Sequence, residues 1–271
     1  MQRNVYLQEV CMERVDTVLE IEDGIAVITI NRPAVLNAAR DETLFEIEDI
    51  LKELEDREDV LVVILTGAGE KSFCAGHDIS TFGEMSEYEI RKAETVRHQV
   101  TSYIQEYGKP VIAAVNGYAF GLGCELACSC DFRLASQNAR FSLPEVSLGI
   151  IPGNGGTQRL PRLIGKGPAM YYTVTKQHLF ADRAYQLGLV EEVLPVGELL
   201  DRARTIAKKI AECSPSAVRI VRNAINHGLD TDLNTGLSIE TESFISAYRN
   251  EDRREGVAAF LEKRKAVFGD K

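Results

Sequence analysis

Two glutamates stand where a carboxylate is costly unless it is paired or working. Glu125 lies in the stretch Gly123-Cys124-Glu125-Leu126-Ala127-Cys128, and Glu145 lies between Pro144 and Val146. Burial in apolar surroundings resists ionisation. Two carboxylates sharing a pocket push one pKa above the reference value of about 4.3, so a proton can be held near neutral pH. That suits acid–base chemistry on a water molecule. The plainer reading is one helix-capping and one surface glutamate, and residue type alone does not separate the two.

Three glycine-rich segments each follow a strand pattern and precede a helix pattern. They are Cys74-Ala75-Gly76-His77-Asp78, Gly121-Leu122-Gly123-Cys124-Glu125 and Pro152-Gly153-Asn154-Gly155-Gly156. A helix start leaves backbone N–H groups unpaired and partly positive, and glycine lets a ligand approach them closely. Such loops suit an oxyanion or a phosphate. They lack a Gly-Lys-Ser/Thr ending, and Gly121-Leu122-Gly123 lacks the third glycine of a dinucleotide fingerprint, so tight turns in an α/β fold are the competing reading. His77 sits beside Asp78, but no Gly-x-Ser-x-Gly elbow accompanies it, and His98, His178 and His227 read as surface or packing residues. Cys124, Cys128 and Cys130 have no second cysteine pair or nearby histidine to complete a zinc set, so no metal is expected and the thiols read as reduced and buried. Lys263, Arg264 and Lys265 read as a solvated helix end or, more sharply, as an anion contact.

The elements that must position these residues follow from periodicity. Residues 18–21 and 25–30 flank an Asp-Gly turn and predict a hairpin. Leu44, Ile47, Leu51 and Leu54 predict a helix that starts at Asp41. Residues 60–65 and 110–115 read as strands buried on both faces, with a loop over 68–82 and a polar helix over 86–106 between them. A helix opens at 121–123. Short strands follow at 131–135 and around Phe141, and another helix near Thr157. Beyond Val196 the strand signals stop, and four amphipathic helices are predicted, over 199–210, from Pro215, over 237–248 and over 255–265. The domain expectation is therefore an α/β core over 1–195 and a helical region over 196–271.

Composition bounds the function. The chain has 271 residues, 45% hydrophobic and 27% charged, which excludes a disordered protein. Its longest aliphatic run, 60–65, is far short of the roughly 20 residues a membrane span needs. A net charge of −10 works against a polyanion partner, so nucleic acid is not expected. Residues 1–16 carry no apolar signal core and mix Arg3 and Arg14 with Glu9 and Glu13, so a cytoplasmic location is expected.

Taken together, these segments resemble the enoyl-CoA hydratase/isomerase (crotonase) family. The likeness runs through Ile30-Asn31-Arg32-Pro33, Leu36-Asn37-Ala38, Phe73-Cys74-Ala75-Gly76-His77-Asp78-Ile79, residues 110–117, Gly123-Cys124-Glu125-Leu126-Ala127, Pro144-Glu145 and 149–163, to a C-terminal helix at 252–268. Each piece is weak alone; in order and at these separations they are strong. The resemblance implies a spiral of repeated β-β-α units, a helical C-terminal trimerisation region, and a homotrimer or dimer of trimers. It implies an acyl-CoA thioester substrate and no metal or redox cofactor, coenzyme A being part of the substrate.

Carried over by position, the backbone N–H groups of His77 and Leu122 form the oxyanion hole. Leu122 stands where many relatives have glycine, and its side chain is expected to narrow the pocket or point into the core. His77 stands where hydratases commonly have alanine, and Ala-Gly-His-Asp is similar to a decarboxylase branch of the family; its side chain is expected to be a spectator, with pocket wall or proton carrier as the alternatives. Glu125 orients the water and takes its proton, Glu145 protonates Cα, and Gly153 helps to place the water. Having both glutamates favours hydration over double-bond isomerisation. For CoA the resemblance points to Ala75, Asp78, Phe260 and Lys263, with Arg32 as a further base, because Ala34 and Ser80 stand where relatives carry lysines. The acyl end falls under 81–106, including Phe82, Met85 and Tyr88. Two readings compete with hydration of a trans-2-enoyl-CoA: another acyl-CoA reaction on the same fold (hydration of a cyclic or branched enoyl-CoA, decarboxylation or isomerisation), and a non-enzymatic RNA-binding role. The helix over 41–59 has only Lys52 and Arg57 as bases, against the latter.

Overall fold

Strands covered on both faces must send alternate residues into two different cores. The computed structural model, which describes residues 14–81 and 83–269, shows this division. A hairpin of β1 (Thr17–Glu22) and β2 (Ile25–Ile30) opens it. Asp23 and Gly24 turn between them with φ of 51° and 76°, the left-handed pair that a two-residue hairpin favours. There follow α1 (Asp41–Glu55), β3 (Val62–Gly67), β4 (Ser72–Cys74), α2 (Glu87–Glu106), β5 (Val111–Val115), β6 (Tyr118–Phe120), α3 (Leu122–Ser129), β7 (Phe132–Ser136) and β8 (Arg140–Ser142). Then come α4 (Gly156–Ile164), α5 (Lys166–Thr175), β9 (Leu179–Phe180), α6 (Ala181–Gln186), β10 (Glu192–Leu194), α7 (Leu199–Ala211), α8 (Pro215–Leu229), α9 (Leu233–Arg249) and α10 (Glu251–Glu262).

The strands form two sheets, ordered β1-β2-β3-β5-β7-β10 and β4-β6-β8-β9. From β3 to β8 consecutive strands alternate between them: β3, β5 and β7 each pass to the second sheet as β4, β6 and β8, and a helix returns the chain after β4 and after β6. This is the expected β-β-α spiral. In the larger sheet Ile25, Val27, Val62, Ile64, Ile112 and Ala114 face Leu199, Ala203 and Ala207 of α7. Their alternates Ala26, Ile28, Val63, Leu65, Ala113 and Val115 face the core between the sheets, with Leu44, Ile47 and Leu51 of α1. The first helix after residue 195 thus covers one face of the sheet.

Most elements fall where periodicity places them. Ser86 and Glu89 cap α2 reciprocally, which fixes its start. The 68–82 segment, read as a loop, contains β4, and residues 118–120, to which the sequence pattern assigns no element, form β6. α10 stops at Glu262, short of the expected 265, because Lys263 takes a left-handed cap with φ of 56°. α8 is fastened to the core by Arg222, whose Nε donates to Asp131 at 2.5 Å and whose Nη2 donates to the Gln105 carbonyl at 2.6 Å. Beyond it, α8–α10 expose Leu229, Leu233, Phe244, Phe260 and Leu261. Among the described residues no helix is long and apolar enough to cross a membrane.

Candidate active site

Glu125 sits on the first turn of α3 and is 1% exposed. Its Oε1 accepts the N–H of Asn154 at 2.8 Å and of Gly156 at 2.9 Å. The third glycine segment is thereby wrapped around this carboxylate from about 30 residues away in sequence. Burial raises the Glu125 carboxyl above its ordinary value, and the two backbone donors hold that rise back.

Glu145 begins a 3-10 turn (Glu145–Leu148) after β8. Its Oε1 lies beside Gly121, where a Cβ would stand 2.8 Å away. Its Oε2 is buried without a hydrogen-bond partner. Burial, and then the charge of Glu125, push its carboxyl up to about 7. The surface reading of Glu145 therefore fails, and the two carboxylates share the neighbourhood of the α3 N-terminus.

The first and second glycine segments meet at the same place. A Cβ on Gly121 would lie 3.8 Å from the Gly76 Cα, and one on Gly76 would lie 3.3 Å from the Phe120 carbonyl oxygen. Gly121 has φ of +49°, a left-handed value that lets the chain pass from β6 into α3. Gly123 packs so close to β4 that a Cβ would meet the Cys74 carbonyl at 2.0 Å. The Gly76 carbonyl accepts the N–H of Ala39 at 2.9 Å, so across a trans peptide the N–H of His77 points away from Ala39. Likewise the Gly121 carbonyl accepts the N–H of Glu125 within the helix, and the Leu122 N–H points off its N-terminal end. The Leu122 side chain is 3% exposed and joins the core, one of its two expected positions.

The remaining sequence-derived residues divide. Ala75 and Asp78 lie on the first segment, Ala75 donating to the Leu36 carbonyl at 3.1 Å and Asp78 to the Ala39 carbonyl at 2.7 Å. Arg32 lies beside them with its donors engaged: Nη2 reaches Asp78 at 3.0 Å, Nη1 the Ala38 carbonyl, and Nε lies 3.4 Å from Asp16. It braces this segment. Met85 and Tyr88 are exposed at the start of α2, and Phe82 lies outside the described residues. Phe260 and Lys263 end α10, which packs on α9, so within one chain they are not gathered with the carboxylates. Arg264 and Lys265 pair with Glu255, Glu262 and Glu212, the solvated reading of that cluster. Sequence reasoning missed Asn154, Glu94 and Arg97. Asn154 stood inside a segment noticed only for its glycines, and Glu94 and Arg97 were visible as a three-apart charge pair on a polar helix.

A family model described as enoyl-CoA hydratase/isomerase matches residues 20–271. A short-chain-enoyl-CoA hydratase of Clostridium acetobutylicum is 49% identical, over 94% of this chain and 97% of that protein. A crotonyl-CoA hydratase of Syntrophomonas wolfei is 46% identical, over 93% of this chain and 96% of that one. The crystal structure of an enoyl-CoA hydratase from Bacillus anthracis superposes with a TM-score of 0.90 at 41% identity, covering 94% of this chain and 99% of that one. With the spiral topology and the carboxylate pair at the α3 N-terminus, these likenesses place the chain in the enoyl-CoA hydratase/isomerase family.

Proposed function

We propose that the protein hydrates the trans-2 double bond of a short enoyl-CoA thioester. The observation that carries this reading is the unequal pair of carboxylates beside the Gly76–Gly121 contact. Hydration needs one group that holds a proton and one that takes one. Glu145, with its carboxyl near 7 and one oxygen without a partner, is suited to deliver a proton to Cα. Glu125, whose charged form is favoured by two backbone N–H groups, is suited to orient water and accept its proton. Hydroxide equivalent then adds to Cβ, the enolate collapses onto the proton from Glu145, and the proton on Glu125 replaces it by way of solvent. The N–H groups of His77 and Leu122 face the thioester oxygen as charge develops; one such donor is typically worth about 2.7–4 kcal/mol. Gly153 adjoins the water's place.

The names of the relatives from Clostridium and Syntrophomonas support a short acyl chain. For the CoA portion we propose Ala75 and Asp78 from the same chain and Phe260 and Lys263 from a neighbouring copy, in a homotrimer or a dimer of trimers. The apolar residues exposed on α8–α10 support that assembly. No redox or metal cofactor takes part in these steps.

The test is the loss of enoyl absorbance when the purified protein meets a panel of thioesters. Rapid hydration of crotonyl-CoA supports the proposal. Silence on linear substrates, with turnover of a cyclic, branched or malonyl-type thioester, overturns it in favour of another reaction on the same fold.

A further inference from the structure

One buried guanidinium joins two of the three glycine segments on which the proposed reaction depends, the first and the third. Arg97, on the inner face of α2, has its side chain 9% exposed. Its Nε and Nη2 grip Asp41 at 2.7 and 3.2 Å, and its Nη1 donates to Glu94 Oε1 at 2.7 Å. Each carboxylate then leads to one segment. Asp41, the first residue of α1, lies 4.0 Å from the His77 ring nitrogen. The other oxygen of Glu94 rests against the third segment, where a Cβ on Gly153 would be only 2.5 Å away.

We infer that Arg97 is a positioning residue, which sets the spacing between the segment of His77 and the loop of Gly153 through Asp41 and Glu94. The inference rests on the hydratase reading for what that spacing serves. Stability alone is a weak reason for this arrangement, because a buried ion group often does no better than apolar residues of the same volume. A guanidinium offers what apolar packing cannot: a planar fork that fixes two carboxylates at set angles. Lysine carries the charge without the fork. The loop is held from α2 at a second point, through Arg159, which donates to the Asn154 carbonyl at 3.0 Å and to Gln105 at 2.7 Å. Glu94 and Arg97 therefore govern the Gly153 end of the loop. Because Glu125 accepts the N–H groups of Asn154 and Gly156, a shift of this loop is also a shift of Glu125.

The test uses the full chain with Arg97→Lys and, separately, Glu94→Ala, which leaves the Arg97–Asp41 pair in place should the first variant fold poorly. With crotonyl-CoA as substrate, each folded variant is expected to lose about 10- to 100-fold in kcat, the cost of a displacement approaching 1 Å, while KM moves less than about threefold. Amide hydrogen exchange reads the same link without turnover, and so separates this inference from the function proposal. Exchange should quicken in both 76–78 and 153–156 in Arg97→Lys, and in 153–156 alone in Glu94→Ala. If the parent hydrates crotonyl-CoA and both variants keep its kcat, or if neither segment changes its exchange, Arg97 only fastens α2 and the inference is wrong.

Discussion

Glu125 and Glu145 carry the same side chain into one neighbourhood and come out with different chemistry. The deeper residue, Glu125, meets two backbone N–H groups delivered by a loop. The shallower one, Glu145, begins a short turn and leaves one oxygen without a partner. Depth of burial alone would rank them the other way, since desolvation penalises the charged form more for the deeper group. The difference teaches that local partners, more than depth, decide which carboxylate keeps its proton near neutrality.

The strongest way to break the comparison is to remove each charge at constant shape. Glu125→Gln and Glu145→Gln should each lower kcat for crotonyl-CoA hydration by about 10²- to 10⁴-fold with the far-ultraviolet circular dichroism unchanged. Near-normal turnover in either variant would show that the pair is not the acid–base machinery. A somewhat smaller effect is expected from crowding one member. In Gly121→Ala the new Cβ meets Glu145 Oε1 at 2.8 Å and the backbone is strained at φ of +49°. A displaced carboxylate should cost about 10²-fold in kcat. Activity unchanged in this variant would mean that the placement of Glu145 beside Gly121 does not matter.

The pH profile sharpens the comparison further. In the proposed reaction Glu145 acts in its protonated form, and its carboxyl lies near 7. Turnover in the hydration direction should therefore fall about tenfold per pH unit above that point, and dehydration should fall below it. Part of the elevation comes from the charge on Glu125, after the larger effect of burial. The residual activity of Glu125→Gln should then show its midpoint displaced to lower pH. An unmoved midpoint would mean that the two carboxylates do not sense each other.

How much of this was legible in the sequence depended on range. The α1 stripe, the Asp23-Gly24 hairpin and the cap of α2 at Ser86 are local signals, and each element begins where its residues say. β4 and β6 were missed because three residues are too few for a period, and their neighbours are cysteine, glycine and aromatic residues that suit turns equally well. The end of α10 was missed because a lysine, not a glycine, adopts the left-handed cap. In the site, the unusual setting of Glu125 could be seen, but the donors that tame it could not. Asn154 and Gly156 reach it only because the spiral stacks one turn of chain on another. The bracing of Asp41 and Glu94 by Arg97 is hidden for the same reason, since Asp41 and Arg97 lie 56 residues apart.

The smallest expected effect is on stability, and it tests Glu145 without any substrate. Its carboxyl is raised from an ordinary 4.5 to about 7, so the folded chain holds the proton more tightly than the unfolded one. A raised carboxyl favours the fold below about pH 4.5, and that advantage is lost as pH climbs to about 7. Above that point the native protein keeps a desolvated carboxylate, which Glu145→Gln removes. Groups common to both proteins and remote from Glu145, including the raised Asp131, largely cancel in the difference. After allowance for the partial exposure of Glu145, the gain at pH 8 should be about 1 kcal/mol, or roughly 2–4 °C in Tm for a chain of this size. It should fall to about a quarter of that near pH 5 and vanish below about pH 4.5. Paired melts at equal protein concentration, which removes any contribution from self-association, check it. A variant whose Tm advantage is the same at pH 5 and pH 8 would show that Glu145 titrates like an ordinary surface carboxylate, and the contrast with Glu125 would then need another cause.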